Sequence, residues 1–127
     1  MEKIYIPAGK RTPELNFDFE QGLFQFIGES YPENIREFYD HPINQFQKWL
    51  DGPVDQDLQV HFKLFYFNSS SAKVVMEFFD SVEESAVNGR KCLIKWFHAK
   101  DDDNIKELGE EFGSDMSSAN FELCVMD

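Results

Sequence analysis

The sequence predicts an α/β (α+β) fold, a single domain over residues 1–127 in which a mixed β-sheet is flanked by helices. Three observations carry that prediction. Apolar residues alternate at period two in the first third of the chain, the runs Leu58–Phe67 and Arg90–Phe97 read as interior strands, and the stretches around them repeat apolar residues at helical spacing. A length of 127 residues suits one domain and leaves no room for a second core of comparable size. With 14 Phe, 4 Tyr and 2 Trp the chain has ample aromatic surface to bury, which argues against disorder.

Taken in order, Leu15, Phe17 and Phe19 alternate with Asn16 and Asp18, Gln21-Gly22 signals a turn, and Leu23-Phe24-Gln25-Phe26-Ile27 follows. These runs form a β-hairpin, preceded by Ile4-Tyr5-Ile6 as a short strand. Gly28 to Asn34 combines a glycine, a proline and capping residues ahead of Ile35, Phe38 and Tyr39 at helical spacing, so a helix is expected to begin near Pro32 or Glu33, with Ser30 as a cap. Pro42, lacking an N–H, is expected to break it. Ile43, Phe46, Trp49 and Leu50 then form the second member of a helix pair, which stops at Asp51-Gly52-Pro53.

Leu58 to Phe67 alternates and then becomes wholly apolar, as a strand does at the centre of a sheet covered on both faces. Beyond Asn68-Ser69-Ser70-Ser71, the residues Val74, Val75, Phe78, Phe79, Val82 and Ala86 keep a helical stripe that ends at Asn88-Gly89. Arg90 to Phe97 alternates around Cys92, Ile94 and Trp96 as a second interior strand. Asp101-Asp102-Asp103 precedes a helix marked by Ile105, Leu108 and Phe112, and Phe121 to Val125 makes the last strand. The order is β-β-β-α-α-β-α-β-α-β, with Asp51 to Asp57 as an exposed loop.

The 24 acidic and 12 basic residues set a net charge of −12, so the average surface repels phosphate backbones and anionic headgroups. Nucleic acid and membrane are therefore excluded as main partners. Cys92 and Cys124 sit inside apolar stretches without metal-type spacing and read as buried, reduced core residues. No signal-peptide h-region and no bilayer-length apolar run is present, so a cytoplasmic location is expected. No nucleophile elbow, Walker loop or dinucleotide fingerprint occurs, so no catalytic residues and no cofactor are assigned and an enzyme is not expected. His41, His61 and His98 are scattered and share no metal-type spacing.

The chemistry concentrates at Phe67-Asn68-Ser69-Ser70-Ser71, where a strand passes into a helix. A side chain there can cap the free backbone amides, and a phosphate added there would meet the same amides and the positive end of the helix dipole. Neighbouring serines can serve both roles. Asp101-Asp102-Asp103 offers hard oxygen ligands for Mg²⁺, and equally suits a helix N-terminus with no metal.

Four segments, in order along almost the whole chain, carry a resemblance: Thr12-Pro13-Glu14, the Gly-Glu-Ser-Tyr-Pro-Glu-Asn run of Gly28 to Asn34, Tyr66 to Ser71, and Asp101-Asp102-Asp103 followed by Glu107-Leu108-Gly109-Glu110-Glu111-Phe112. In these the chain resembles the SiaC family of bacterial regulatory phosphoproteins. The resemblance implies a fold similar to the anti-sigma factor antagonists (STAS-like), and a hydroxyl phosphorylated by a dedicated kinase and released by a partner phosphatase. It also implies an unphosphorylated form that binds and activates a diguanylate cyclase, and a role in biofilm signalling. By motif the modified residue is Ser69, where the family has threonine, with Ser70 as the alternative. Asn68, Ser70, Ser71, Glu29, Tyr31 and Asn34 are the expected partner contacts. Two other functions compete: an anti-sigma factor antagonist, which shares the switch but has another partner, and a metal-dependent hydrolase using Asp101 to Asp103.

Overall fold

The computed structural model describes residues 1–126. Their order is β1 (Ile4–Ile6), β2 (Glu14–Asp18), β3 (Leu23–Ser30), α1 (Ile35–Leu50), β4 (Leu58–Phe67), α2 (Ser69–Val87), β5 (Cys92–Ala99), α3 (Asp103–Gly113) and β6 (Asn120–Met126). The six strands lie in the sheet in the order they occur in the chain. β1, β2 and β3 pair antiparallel, and β3 to β6 pair parallel, so the sheet is mixed, as expected.

The hairpin forms where alternation and Gln21-Gly22 place it, with Asp18 opposite Leu23. Gly22 adopts φ +66°, and a Cβ there would lie 2.2 Å from the Asp57 carbonyl oxygen, so only glycine fits. α1 corrects the expected helix pair. It begins at Ile35, capped by Asn34 rather than Ser30, and runs unbroken through Pro42 to Leu50. Pro42 leaves the Phe38 carbonyl without its usual donor, yet lies buried on the same stripe as Tyr39 and Phe46. Packing of that stripe outweighs the local preference for a break.

Phe24 meets Phe46 of α1 with ring centroids 4.9 Å apart, Phe62 stacks on Phe79 of α2 at 5.4 Å, and Trp96 meets Phe112 of α3 at 5.6 Å. Phe26, Phe62 and Trp96 are cross-strand neighbours, so all three helices cover one face. The cause is topological. Each parallel crossover advances one strand in the same direction, and a common right-handed crossover puts every helix on the same side. The expectation of a sheet covered on both faces is thus corrected: Ile27, His61, Lys63, Lys95 and Phe97 lie on an open face, where the Lys63 ammonium sits 4.9 Å over the Phe97 ring. Cys124 pairs with Phe97 on that face and is only partly buried, whereas Cys92 is in the core as expected, its thiol pushed up to about 11 chiefly by burial.

The core is an aromatic lattice centred on Phe17, whose ring meets Phe24, Phe26 and Phe78 edge-on at 5.2, 5.5 and 6.1 Å. Burying each such ring stabilises the fold by about 1.5–3 kcal/mol. At the N-terminal end of β5, the buried Arg90 guanidinium stacks 4.3 Å over Trp49 and donates to Ser85 Oγ and to the Gln56 carbonyl, each at 2.8 Å.

Candidate functional site

β3 and β4 run parallel and finish side by side, and the Asn68 amide donates to the Ser30 carbonyl at 3.1 Å. Asn68 is extended and caps α2: its side-chain oxygen accepts from the Ser71 amide at 2.9 Å and its carbonyl from Ala72 at 2.9 Å. Ser69 and Ser70 are therefore the first two helical residues, and their amides have no intrahelical acceptor.

The three serines are not equivalent. Ser69 and Ser70 are exposed, whereas Ser71 is 1% exposed and its hydroxyl lies 2.7 Å from that of Ser30. The Ser30 hydroxyl in turn lies 2.6 Å from the Tyr39 hydroxyl. Burial pushes the Tyr39 phenol up to about 12, with the Ser30 hydrogen bond opposing. A buried chain of three hydroxyls thus ties α1, β3 and α2 together beneath the exposed serines. An anion carried by Ser69 would sit over two free amides at the positive end of a 19-residue helix, with Lys73 one turn further on.

Of the other expected contacts, Glu29 lies opposite Tyr66 just after a β-bulge, in which Phe65 is the extra residue. Tyr31 packs edge-on against Tyr66 at 5.6 Å and donates its hydroxyl to the Lys10 carbonyl at 3.2 Å. Asn34 is exposed, but its side chain accepts from the Glu37 amide at 3.1 Å. The structure thus brings Glu29, Tyr31 and the serine turn to one end of the sheet, the carboxyl end of the parallel strands, where α/β proteins place their sites. There Phe65 and Tyr66, 56% and 49% exposed, line an open groove of about 420 Å³ along α3, rimmed by Asp102, Glu107 and Glu111. Asp102 caps α3, accepting from the Ile105 amide at 3.0 Å. Among the described residues no three acidic, His or Cys side chains converge as metal ligands.

The model of the SiaC family of regulatory phosphoproteins matches residues 6–126, nearly the whole chain. The chain belongs to the SiaC family. A Pseudomonas aeruginosa (strain UCBPP-PA14) protein described as uncharacterized is 33% identical over 118 residues, which is 92% of each chain. The solved structure of SiaC of Pseudomonas aeruginosa superposes with a TM-score of 0.89 at 30% identity, covering 99% of this chain and 100% of that one. A structure of the diguanylate cyclase SiaD in complex with its activator SiaC, from the same organism, matches with a TM-score of 0.91 at 30% identity, covering 97% and 99%.

Several of the SiaC-type segments have structural roles that the sequence does not reveal. Ser30, read from sequence as a cap, is the middle link of the buried hydroxyl chain, and Tyr39 is its end. Gly109 of the Glu-Leu-Gly segment lets α3 lie against Trp96, since a Cβ there would fall 2.3 Å from the indole. Tyr66 was open to detection, because an aromatic residue beside the turn signal Phe67-Asn68 stands next to the site; Ser30 and Tyr39 were not, lying 41 and 32 positions from Ser71 by the sequence numbering.

Proposed function

We propose that this chain is a phosphorylation-gated activator: unphosphorylated, it docks on a diguanylate cyclase and stimulates it, and phosphate on Ser69 releases it. The observation that carries this reading is the division of labour in the turn, where Asn68 is committed to the cap and Ser71 to the interior, leaving Ser69 and its neighbour Ser70 presented on a helix N-terminus. The SiaC–SiaD complex supports a cyclase as the partner. A kinase adds the phosphate and a phosphatase removes it. The partner covers the turn, Tyr31 and the Phe65–Tyr66 groove, and a dianion within that contact must be desolvated for docking to occur. The role is that of a binding partner rather than a catalyst, in keeping with Asp102 acting as a helix cap.

The test compares the unmodified chain, Ser69→Ala and Ser69-phosphorylated protein for binding to the organism's diguanylate cyclases, with cyclic dinucleotide synthesis as a second readout. Ser69→Ala should bind and stimulate like the unmodified chain and accept no phosphate by mass spectrometry. The phosphorylated form should bind at least about tenfold more weakly, a difference of about 1.4 kcal/mol. Equal affinity of the two forms would refute the gate, and phosphate retained in Ser69→Ala would move it to Ser70.

A further inference from the structure

A second groove, of about 380 Å³, runs between α2 and the C-terminal end of α3, and shares Glu111 with the Phe65–Tyr66 groove along the earlier turns of that helix. Its floor is aromatic: the Phe79 and Phe112 rings lie 5.5 Å apart. Met76 and Met116 form flexible walls, and Met76 is 52% exposed, unusual for so apolar a side chain. One end is held in place by Glu83, whose carboxylate accepts from the amides of Ser117, Ser118 and Ala119 and from the Ser117 hydroxyl, at 2.9–3.3 Å. The groove is therefore preformed.

Its rim is acidic and uncompensated. Asp80, Glu111 and Asp115 line it, and among the described residues none of them is ion-paired, the salt bridges being confined to Arg11 and Arg36. An apolar, methionine-walled slot between two helices, ringed by free carboxylates, is complementary to one kind of occupant. We infer that the groove between α2 and α3 is a second docking site, which takes a basic amphipathic segment of a partner protein. The apolar side chain enters over Phe79 and Phe112, and Lys or Arg side chains reach the rim carboxylates. Phosphate-bearing surfaces are repelled by the same rim, and a net charge of −12 opposes a second copy of this chain. The site is independent of the serine turn.

The test uses a labelled helical peptide with leucines on one face and lysines on the other, titrated into the full chain while the methionine methyl signals are followed by NMR. The chain has four methionines, of which only Met76 and Met116 line the groove. Their signals should move while those of Met1 and Met126 stay in place. Asp80→Lys with Asp115→Lys should weaken binding about tenfold, since each reversal removes an attraction and adds a repulsion. Glu20→Lys with Asp55→Lys, remote from the groove, should change it little, and Ser69→Glu should bind the peptide normally even if the cyclase reading fails. Unmoved Met76 and Met116 signals, or equal weakening by the remote pair, would overturn the inference.

Discussion

Replacing Ser30 by alanine removes the middle link of the hydroxyl chain. Tyr39 and Ser71, 2% and 1% exposed, then keep hydroxyls whose only side-chain partner among the described residues is gone. A buried hydroxyl left unpaired costs about 1–3 kcal/mol, so two of them make Ser30→Ala destabilising by about 2–6 kcal/mol. Tyr39→Phe removes the outer hydroxyl and leaves Ser30 bonded to Ser71, which should cost only about 1 kcal/mol. In urea, with a slope of about 2 kcal/mol per molar for a domain of this size, the midpoint should fall by about 1–3 M for Ser30→Ala and by about 0.5 M for Tyr39→Phe. The double variant supplies the stricter check. Once the Tyr39 hydroxyl is absent, Ser30→Ala strands one group instead of two, so the double should cost about 1–3 kcal/mol less than the sum of the singles. The reasoning fails if Ser30→Ala is no more destabilising than Tyr39→Phe, or if the two effects add.

Two further outcomes are expected. Gly109→Val drives side-chain atoms into the Trp96 ring, whose indole N–H donates to the Ile105 carbonyl at 2.8 Å; a loss of about 2–3 kcal/mol should lower Tm by roughly 5–10 °C and shift tryptophan emission, and an unchanged Tm would contradict the packing. The Glu83 carboxylate is held below its ordinary range chiefly by the Ala119 amide, with Ser118 and Ser117 adding to it against desolvation. A depressed folded value means stability that is present above the unfolded carboxylate range, about pH 4.3, and lost as pH falls through the folded value. The stability gap between the native chain and Glu83→Gln should therefore shrink on acidification, and a gap that stays constant with pH would show that the charge is not what holds the Ser117–Ala119 loop.

Much of the fold was legible because local and global preferences agree. The hairpin, β4, β5, β6 and the stripe of α2 sit where periodicity places them. α1 was misread because Pro42 carries a local signal that only its burial beside Tyr39 and Phe46 overrides. The all-apolar end of β4 suggested two covered faces, but Phe65 and Tyr66 are exposed because the chain bulges there and all three crossovers share one side. At the site, Asn68 as cap and the exposure of Ser69 and Ser70 follow from the strand-to-helix transition. The interior commitment of Ser71 does not, because it depends on a hydroxyl from a strand that pairs with β4 only in three dimensions.

The agreement between strand order and chain order bears on how the molecule is made. Every strand after the first pairs with the one just before it, and none has to be inserted between two strands already joined. On the ribosome the sheet can grow one strand at a time, each crossover helix closing over the strands already laid down, so that no finished edge waits for a distant segment. The serine turn lies in the middle of this sequence of events. Its hydroxyl chain draws only on β3, α1 and α2, so the surface proposed to receive a phosphate can take shape while β5, α3 and β6 are still being synthesised.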